Sequence, residues 1–503
     1  MFWTFRVLAN GKSRNHSNKN KYMERTRIQK FAVVVLILSI TLLATFFPFQ
    51  IHFENALSLK PESDYTIKIE FWRILFEPFL GPLLYANRSL YALEELPMIL
   101  LWILILHVFF YGIGTFKSVG NRKKKGLELL VNLPLIAGIL FAVFVLILFI
   151  PLPNNTIVNN SKDTILVTTH AHTEFSHDGL ISQENMWKWH KRNGFDAFFI
   201  TDHANHRKTW EFAQDQKKGK FPMDPLVMIG EEYSASNHMS LLGLNNSFET
   251  RGMADKTVID SVHHHGGVVI INHWFDGKGK EKELYHELGA DGFEIENSGK
   301  DLYYDRKIFE ELRTFCEENE LLMIGGLDFH GYGRLCSLYN GLVIPNWDNL
   351  DYNSKQLAVL DVLKNGPQEK IKTLLYKDRP FYPKTNLFLR PFVNAVHYFR
   401  TLNLYQVFSW IFWLLVFQFL GKAIKKTLVP PRTGILILGM VSAFFLIGLT
   451  ILYYFRGVTV EGYSELYWEY SVVLGPIGLA LCLYASGVIY FRFFKNRSKA
   501  ISR

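Results

Sequence analysis

Six long apolar runs divide the chain, three before a polar middle segment and three after it. Each run is close to the roughly 20 residues that an α-helix needs to cross a bilayer. A run such as "FAVVVLILSITLLATFF" has no polar face, which argues against a buried helix of a large soluble core. The pattern therefore predicts a multi-pass membrane protein, with spans at residues 31–50, 97–116, 129–150, 404–420, 434–455 and 471–491.

A weaker apolar stretch at residues 71–85 contains Arg73 and Glu77. Charged groups inside a span are costly, so we predict a helix that lies in the membrane interface there. Residues 379–400, which include "RPFYPKTNLFLRPF", mix Phe, Pro and Arg and predict a second segment at the membrane surface.

Basic residues gather beside four ends of the apolar runs, in residues 6–30, 117–125, 422–432 and 492–503. By the positive-inside rule these groups are cytoplasmic, which places both termini inside. The long first run is expected to remain as an anchor, and three crossings deliver the middle segment to the outer side. We predict a bacterial inner-membrane protein with a periplasmic or extracellular polar domain. Anchoring to the inner leaflet explains the net charge of +9, so no nucleic-acid partner is expected.

The polar middle segment alternates short strand-like runs with helical patterns between residues 163 and 345. The strand-like runs include "TILVTTH", "AFFIT", "LVMIG" and "GVVIIN", and one helix is predicted at residues 183–192. Such alternation is typical of parallel strands joined by helical crossovers. We therefore predict an α/β domain with a closed or nearly closed barrel of parallel strands.

Metal-ligand residues follow these strands at their carboxyl ends, where the chemistry of a parallel barrel is assembled. His170 and His172 in "HAHTEFSHDG" are two residues apart, so in an extended strand both imidazoles project into one space. They can clamp a metal, and the turn at Asp178 and Gly179 can return a carboxylate to the same cavity. Six strand ends of this kind indicate a metal site. The other five carry Asp202 and His203, Glu231 and Glu232, Asn272 and His273, Glu296 and Asn297, and Asp328 and His330.

The order of these motifs resembles the PHP (polymerase and histidinol phosphatase) metallohydrolases. The matching stretches are "HAHTEFSHDG", "ITDH" at 200–203, "GEE" at 230–232, "HMSLLGL" at 238–244, "NH" at 272–273 and "GLDFHG" at 326–331. The resemblance implies a distorted (β/α)7 barrel, flanked here by three spans on each side, that holds two or three divalent metal ions. It implies His170, His172, Glu232 and Asp328 around one metal, Glu232 bridging to a second that also takes His238 and His273, and Asp178, His203 and His330 around a third.

All nine implied ligand positions are filled, which favours an enzyme over a barrel that has lost its chemistry. Trp274 stands where the family often has proline, and Glu231 beside Glu232 leaves the bridging carboxylate ambiguous. The mixed imidazole and carboxylate set suits Zn, Mn or Fe better than Ca or Mg. Such ions lower the pKa of a bound water and clamp the oxygens of a phosphoryl group. Catalytic roles are assigned to Asp178, His203, Glu232, Asp328 and His330.

Two further groups of polar residues lie in the middle segment. Arg207, Lys208 and Arg334 lie close in sequence to ligand-bearing turns and are predicted to bind substrate phosphate, with solvated surface charge as the alternative. The tract "HHHGG" at residues 263–267 is interpreted as the capped end of a helix rather than a metal site.

The sequence favours a membrane-anchored, metal-dependent phosphoesterase acting on the outer side, on a lipid or envelope precursor. The alternatives are a metallohydrolase of another ester or amide bond, and a non-catalytic receptor or transport component that binds a phosphorylated ligand. The expected partners are the bilayer and a phosphorylated substrate, lipid-linked in the favoured interpretation. The predicted parts are a basic cytoplasmic leader (1–30), an N-terminal membrane domain (31–152), the PHP-like barrel (163–345), a barrel extension with a juxtamembrane segment (346–402), a C-terminal membrane domain (403–492) and a basic cytoplasmic tail (493–503).

Overall fold

The computed structural model describes most of the chain. Arg334, residues 1–15 of the predicted leader and residues 495–503 of the predicted tail lie outside the described part. The described residues are 16–87, 92–116, 120–203, 205–234, 236–246, 248, 250–277, 279–298, 306–333, 338–379, 386–423, 431–460 and 464–494.

Four helices of the described chain are long and apolar enough to cross a membrane: Glu95–Phe116, Arg122–Phe149, Thr433–Thr459 and Glu465–Arg492. They coincide with the second, third, fifth and sixth predicted spans. The fourth predicted span is one arm of a helix pair, Arg390–Arg400 and Leu404–Leu420, that bends by 114°. The first corresponds to a shorter apolar helix, Lys30–Phe46. In chain order the helices are α1 His16–Phe46, α2 Phe71–Leu75, α3 Glu77–Ala86, α4 Ala92–Phe116, α5 Arg122–Phe149, α6 Gln183–Arg192, α7 Arg207–Lys217, α8 Asp255–His264, α9 Lys282–Leu288, α10 Arg306–Glu318, α11 Tyr352–Asn365, α12 Arg390–Arg400, α13 Leu404–Ala423, α14 Pro431–Thr459 and α15 Glu465–Ile489.

The polar domain is built on a curled, mixed sheet of ten strands. The strands are β1 His52–Asn55, β2 Tyr65–Ile69, β3 Asn155–Asn159, β4 Thr164–Thr168, β5 Ala197–Ile200, β6 Leu226–Ser234, β7 His238–Leu242, β8 Val268–Ile271, β9 Gly292–Asn297, β10 Leu322–Gly326, β11 Leu338–Val343 and β12 Ile371–Lys377. The sheet order is β1-β12-β11-β4-β5-β6-β7-β8-β9-β10, and β2 pairs with β3 separately.

The sheet differs from the parallel barrel that the sequence predicts. Strands β4 to β6 run parallel, as do β8 to β10, but β7 is antiparallel to both β6 and β8. Strands β11 and β12 are also antiparallel to their neighbours. Only three residues connect β6 to β7, and so short a connection closes a hairpin because a parallel crossover needs a dozen residues or more.

The central strands are apolar on both faces because the sheet is covered on both sides. Alternate residues of β5 enter two different buried clusters, which explains the unbroken run "AFFI". Helix α11 covers the end of the sheet that lies away from the predicted metal ligands. Its Leu360 lies against Gly243, at the opposite end of β7 from His238.

Side-chain amides bridge the place where the curled sheet has no ladder. Among the described strands β10 and β11 are not paired, yet Asn340 Nδ2 donates to Gly325 O at 2.7 Å. Gly325 N donates back to Asn340 Oδ1 at 2.8 Å. Gln368 forms the same pair of hydrogen bonds with Met323. Met323 N donates to Gln368 Oε1 at 2.9 Å, and Gln368 Nε2 donates to Met323 O at 3.0 Å. Two amide side chains therefore satisfy backbone groups that would otherwise be buried without partners.

An edge strand of the sheet comes from the segment between α1 and α4. Strand β1 pairs with β12 from His52↔Lys377 to Asn55↔Leu374. Phe53 is 1% exposed and packs edge-on against Tyr339, with ring centroids 5.9 Å apart. The sheet of the polar domain thus includes residues outside the range 163–345 that is predicted for the barrel.

The two segments predicted to lie at the membrane surface pack on each other. Residues 71–85 form α2 and α3, and Arg73 Nε donates to Glu77 Oε2 at 2.9 Å. Tyr398 of α12 donates its hydroxyl to Glu77 Oε1 at 2.6 Å. Arg379 is also buried, and its Nε donates to Asp378 Oδ1 at 2.8 Å. Their charges are therefore paired inside the protein.

The apolar helices meet the polar domain at one set of ends. Near the end of α5, Leu148 O accepts a hydrogen bond from Gly333 N at 3.2 Å. At the start of α15, Glu465 N donates to His177 O at 2.9 Å. The basic residues 122–125 lie at the other end of α5. These contacts are at the helix ends that the charge pattern assigns to the outer side.

Replacing Asn340 should destabilise the fold. Asn340→Leu keeps the approximate size but leaves the N–H and C=O of Gly325 buried without partners, so we expect a loss of roughly 2–5 kcal/mol in the free energy of unfolding. Denaturant unfolding of the full-length protein in detergent measures it. The matched control is Asn353→Leu at an exposed position of α11. Equal stabilities of the two variants would contradict a role for the amide bridge.

Glu296 makes stability depend on pH. Burial raises the pKa of this carboxyl from 4.5 to about 7, and its Oε2 has no hydrogen-bond partner among the described residues. Because its pKa is raised in the folded state, the contribution of Glu296 to the free energy of unfolding is fully present below pH 4.5. This contribution is lost as pH rises towards 7, by roughly 3 kcal/mol in total. Unfolding of wild type and Glu296→Gln across this range should show the larger fall in wild type, because Asp196 and Asp202, whose pKa values burial raises to about 6, titrate in both proteins. Parallel pH profiles would refute the assignment.

Candidate metal centre

Two histidines enter the interior directly after β4. His170 and His172 are both 0% exposed, and their Nε2 atoms are 3.0 Å apart. The loop after β10 runs beside them, because Asp328 N donates to His170 O and His172 N donates to Phe329 O, each at 2.9 Å. The His-x-His pair therefore projects into one space, as its spacing predicts.

The loop that follows folds back over this pair. A Cβ atom on Gly179 would lie 2.0 Å from Thr173 O, so only glycine permits this close approach. The turn returns Asp178 to the cluster, where its Oδ2 lies 3.1 Å from His330 Nε2 and 3.4 Å from His203 Nε2. The three residues predicted to hold the third metal are thus brought together.

Glu232 of β6 lies at the centre of the cluster and is 2% exposed. Five imidazoles surround its carboxylate. Its Oε2 lies 3.3, 3.1 and 3.2 Å from the Nε2 atoms of His170, His172 and His203, and its Oε1 lies 3.0 Å from His238 Nδ1 and 3.7 Å from His273 Nε2. One carboxylate therefore contacts predicted ligands of all three metals.

Four donor atoms have the spacing of a four-ligand metal site. They are Nε2 of His170, Nε2 of His172, Oε2 of Glu232 and Oδ1 of Asp328. Five of their separations are 3.0, 3.1, 3.3, 3.3 and 3.4 Å. Donors placed about 2.0–2.1 Å from a tetrahedral ion lie roughly 3.3 Å apart. The residues present thus fit the transition metal that the sequence implies.

Further potential ligand groups share residues with the first. His203, Glu232 and His238 form one, and Asp178 joins His172 and His203 in another. Eight of the nine predicted ligands lie in such groups. The ninth, His273, is placed at the edge, with Glu232 Oε1 at 3.7 Å.

The histidine rings are oriented by second hydrogen bonds. When one ring nitrogen bonds an oxygen atom, the other is fixed in direction, as is usual for metal-binding histidines. The contacts that orient three rings are His170 Nδ1 to Glu294 Oε1 at 2.8 Å, His203 Nδ1 to Ser234 Oγ at 2.9 Å, and His330 Nδ1 to Asp328 O at 2.8 Å. Each of these three rings directs Nε2 towards the cluster.

The backbone is strained at two predicted ligands. His273 and Asp328 have φ angles of 32° and 52°, in the left-handed region that residues other than glycine rarely occupy. Such conformations cost of order 1–3 kcal/mol and persist where the surroundings fix them, which is common at functional sites.

The cluster favours positive charge between its carboxylates. Burial alone would lower the pKa of His172, but hydrogen bonds to Asp328 and Glu232 raise it to about 10. Burial would raise the pKa of Glu232, yet His170 and its neighbours hold that pKa well below the usual range. A metal ion must therefore displace protons from the imidazoles, so its binding is expected to strengthen as pH rises.

The ambiguity between the two glutamates of "GEE" is removed by the strand geometry. Successive side chains of β6 point to opposite faces. Glu231 Oε2 lies 2.5 Å from His206 Nδ1, and its Oε1 accepts from Thr250 Oγ1 at 2.6 Å. Glu232 is therefore the one that faces the metal ligands.

The residues predicted to bind phosphate are less defined. Arg207 and Lys208 begin α7, four and five residues after His203, and Lys208 Nζ lies 3.3 Å from Glu211 Oε2. Arg334 lies outside the described residues. Their role stays a prediction.

The "HHHGG" tract lies at the end of α8, where the sequence places a helix terminus. His265 Nδ1 lies 2.7 Å from Ser261 O, and His263 Nε2 lies 2.8 Å from Asp291 Oδ2. The His265 contact is with a carbonyl of the last turn of α8, as expected at a helix end, whereas His263 pairs with the residue before β9.

Glu294 belongs to the site but was not recognised in the sequence. Besides holding His170, it accepts a hydrogen bond from His273 N at 3.0 Å. Gly326 makes room for it, since a Cβ there would lie 1.8 Å from Glu294 Oε1. In "GFEIE" two glutamates are two residues apart, so both lie on one face of the strand, but the strand-end pattern indicates only Glu296.

Glu174 is a second unrecognised residue, and it joins the metal loop to the apolar helices. Its buried carboxylate accepts from Arg456 of α14, with Nε at 2.7 Å, and from the Tyr467 hydroxyl of α15 at 3.0 Å. Leu180 and Tyr332, on the loops of Asp178 and His330, pack in one cluster with α5, α14 and α15. Two ligand-bearing loops therefore rest on the ends of these helices.

Comparisons with known proteins agree with the motifs. The family model of the PHP domain matches residues 168–302, which confirms a PHP domain in this part of the chain. No curated protein sequence matches the chain.

Similar solved structures are distant from this chain. A two-domain protein of Bacteroides vulgatus, described as containing a predicted PHP-like metal-dependent phosphoesterase, is 20% identical with a TM-score of 0.33. The match covers 42% of this chain and 65% of that protein, less than two thirds of its length. PsfC from Pseudomonas syringae is 14% identical over 47% of this chain and 98% of its own, with a TM-score of 0.30. A Chromobacterium violaceum amidohydrolase, with sulfate bound and no metal, is 13% identical over 36% and 92%, with a TM-score of 0.27.

Removing the central carboxylate should empty the site. We expect Glu232→Gln to reduce bound metal from two or three ions to less than one per chain, because every group around it loses a ligand or a neighbouring charge. Glu231→Gln, the adjacent residue on the other face, should retain wild-type metal. Elemental analysis of full-length protein purified with metal present decides. Wild-type metal content in Glu232→Gln, or in the double variant His172→Ala, Asp328→Ala, would contradict the site.

Proposed function

We propose that the chain is a membrane-anchored, metal-dependent phosphoesterase whose site faces the outer surface of the membrane. One observation carries the proposal: four donor atoms of His170, His172, Glu232 and Asp328 have the mutual spacing of a metal site, inside a PHP domain. His203, His238 and Asp178 extend this group, so that two or three ions of Zn, Mn or Fe would be held together.

The donor set suits phosphoester hydrolysis without a protein nucleophile. Neighbouring divalent ions would polarise a phosphoryl group and activate water. The chain's own part is to fix the donors: Glu294 and Ser234 orient His170 and His203, and burial of Glu232 and Asp328 excludes competing water. In this proposal the substrate meets Asp178, with His203 and His330, on the open side of the cluster. The side chains of Asp178 and His238 are 27% and 41% exposed there, and that of Glu232 only 2%.

The membrane arrangement supports a substrate carried at or near the bilayer. The described part of the chain has four helices long and apolar enough to cross a membrane, and the loops of Asp178 and His330 rest on the ends of α5, α14 and α15. In this proposal those ends lie on the outer side, as the positive-inside rule predicts. A lipid headgroup phosphate or a lipid-linked envelope precursor would meet the site there, and Arg207, Lys208 and Arg334 would contact its phosphate.

Turnover of model esters tests the chemistry. The full-length protein in detergent, loaded with Zn, Mn or Fe, should hydrolyse a chromogenic phosphodiester or phosphomonoester, and Asp178→Asn should lower the rate by at least roughly a hundredfold. His263→Gln, outside the cluster, is the control. Turnover of a carboxylester alone would assign the cluster to another bond. Binding of phosphate esters without turnover would make the domain a receptor.

The orientation is tested by labelling single introduced cysteines in intact cells. A membrane-impermeant maleimide should label Lys218→Cys, exposed on the polar domain, and should leave Lys123→Cys, in the basic first turn of α5, unlabelled until the cells are opened. The parent protein corrects for its own cysteines. The reverse labelling pattern would place the polar domain in the cytoplasm.

A further inference from the structure

A groove of about 290 Å³ lies between α14 and α15, in the halves of these helices that approach the polar domain. Its size is near the lower end of the roughly 300–1,000 Å³ range of ligand sites. Its lining residues are Thr450, Ile451, Tyr454, Phe455, Trp468, Ser471 and Val472.

The walls of the groove are mostly apolar. Two of the three hydroxyls among them bond within their own helices: Thr450 Oγ1 donates to Leu446 O and Ser471 Oγ donates to Trp468 O, each at 2.8 Å. Neither of these two hydroxyls therefore requires a polar ligand. The hydroxyl of Tyr454 and the indole N–H of Trp468 are the other polar groups of the lining, both on exposed aromatic side chains.

The surroundings determine what kind of molecule can occupy the groove. Ile451, Phe455 and Val472 are 51%, 60% and 52% exposed on two helices that are long and apolar enough to span a membrane. Within a bilayer this face meets hydrocarbon. The occupant that its chemistry fits is a lipid chain.

The groove ends beside the metal loop. Arg456 follows the lining residue Phe455, and Tyr467 precedes the lining residue Trp468. Both Arg456 and Tyr467 contact Glu174, which is two residues from the predicted ligand His172. A chain lying in the groove would thus carry its polar end to the level of this loop, beside the ion pair of the half-exposed Arg456 with Glu174.

We propose that the groove between α14 and α15 binds the hydrocarbon chain of a lipid-linked phosphoester and so presents its phosphate to the metal loop from the membrane surface. This inference rests on the proposed function and adds to it the site that holds the hydrocarbon chain of the substrate. We assign the chain to the α14–α15 groove because that groove ends at the loop of Glu174.

Photolabelling tests the chain site without requiring hydrolysis. The full-length protein, stripped of metal by a chelator, is placed in phosphatidylcholine vesicles with phosphatidic acid that carries a diazirine on its acyl chain. Labelled peptides are identified by mass spectrometry. We expect saturable labelling concentrated in residues 450–455 and 468–472, competed by unlabelled phosphatidic acid.

Matched variants separate specific binding from ordinary lipid contact. Ile451→Trp and Val472→Trp fill the groove at exposed positions and should each lower its labelling at least about fivefold. Leu479→Trp, at a position 54% exposed further along α15, should leave it unchanged. Labelling spread evenly over the exposed faces of α4, α5, α14 and α15 would overturn the inference, as would crosslinks between the α14–α15 faces of two chains.

The same preparation with metal restored is assayed on the model phosphoesters, so the two proposals can fail separately. Concentrated labelling without phosphoester turnover would reject the enzymatic function and keep the chain site. Turnover with even labelling would reject the chain site and keep the enzyme.

Discussion

The negative charge of Glu232 is the constraint on which the site depends, because five imidazoles cannot be packed around one buried point without it. Its two oxygens lie 3.0 to 3.7 Å from histidines on four separate strand ends. Four of these imidazoles have side chains at most 11% exposed, and only that of His238 is more open, at 41%. Such burial is costly for any charge that an imidazole carries unless a counter-charge is near. The carboxylate therefore attracts imidazoles from segments that are distant in sequence to one point, and so holds their loops together.

The hairpin of β6 and β7 makes this centre possible. In a wholly parallel sheet, each strand brings only its carboxyl end to the rim. Strand β7 runs the other way and begins there, with His238 paired to Ser234 across the turn. Glu232 and His238 thus reach the same point from opposite arms of one hairpin, and Ser234 between them orients His203. Because β6 and β7 form a hairpin and are not joined by a long crossover, they supply three residues to the site: Glu232, Ser234 and His238.

The parts of the fold that the sequence could predict are those encoded locally. Helix α6 spans the residues 183–192 that periodicity indicates, and the nine ligands named from motif order lie at or beside one cluster. What escaped prediction depends on partners far away in the chain. Strand β1 has four residues, too few for a periodic signal, and is defined only by β12. Glu174 acquires its role from Arg456, 282 residues later. Asn340 looks like any polar strand residue until Gly325 is placed beside it.

The pairing of β1 with β12 links assembly of the domain to insertion of the chain. Strand β1 is synthesised before α4 and α5, whereas its partner follows the whole domain. Its backbone must wait with an open edge while the intervening segments are made, and open edges invite pairing with other chains. Its brevity limits that hazard, but the sheet stays incomplete until the second set of apolar helices is about to emerge. A chain that ended before β12 would leave β1 without its partner strand.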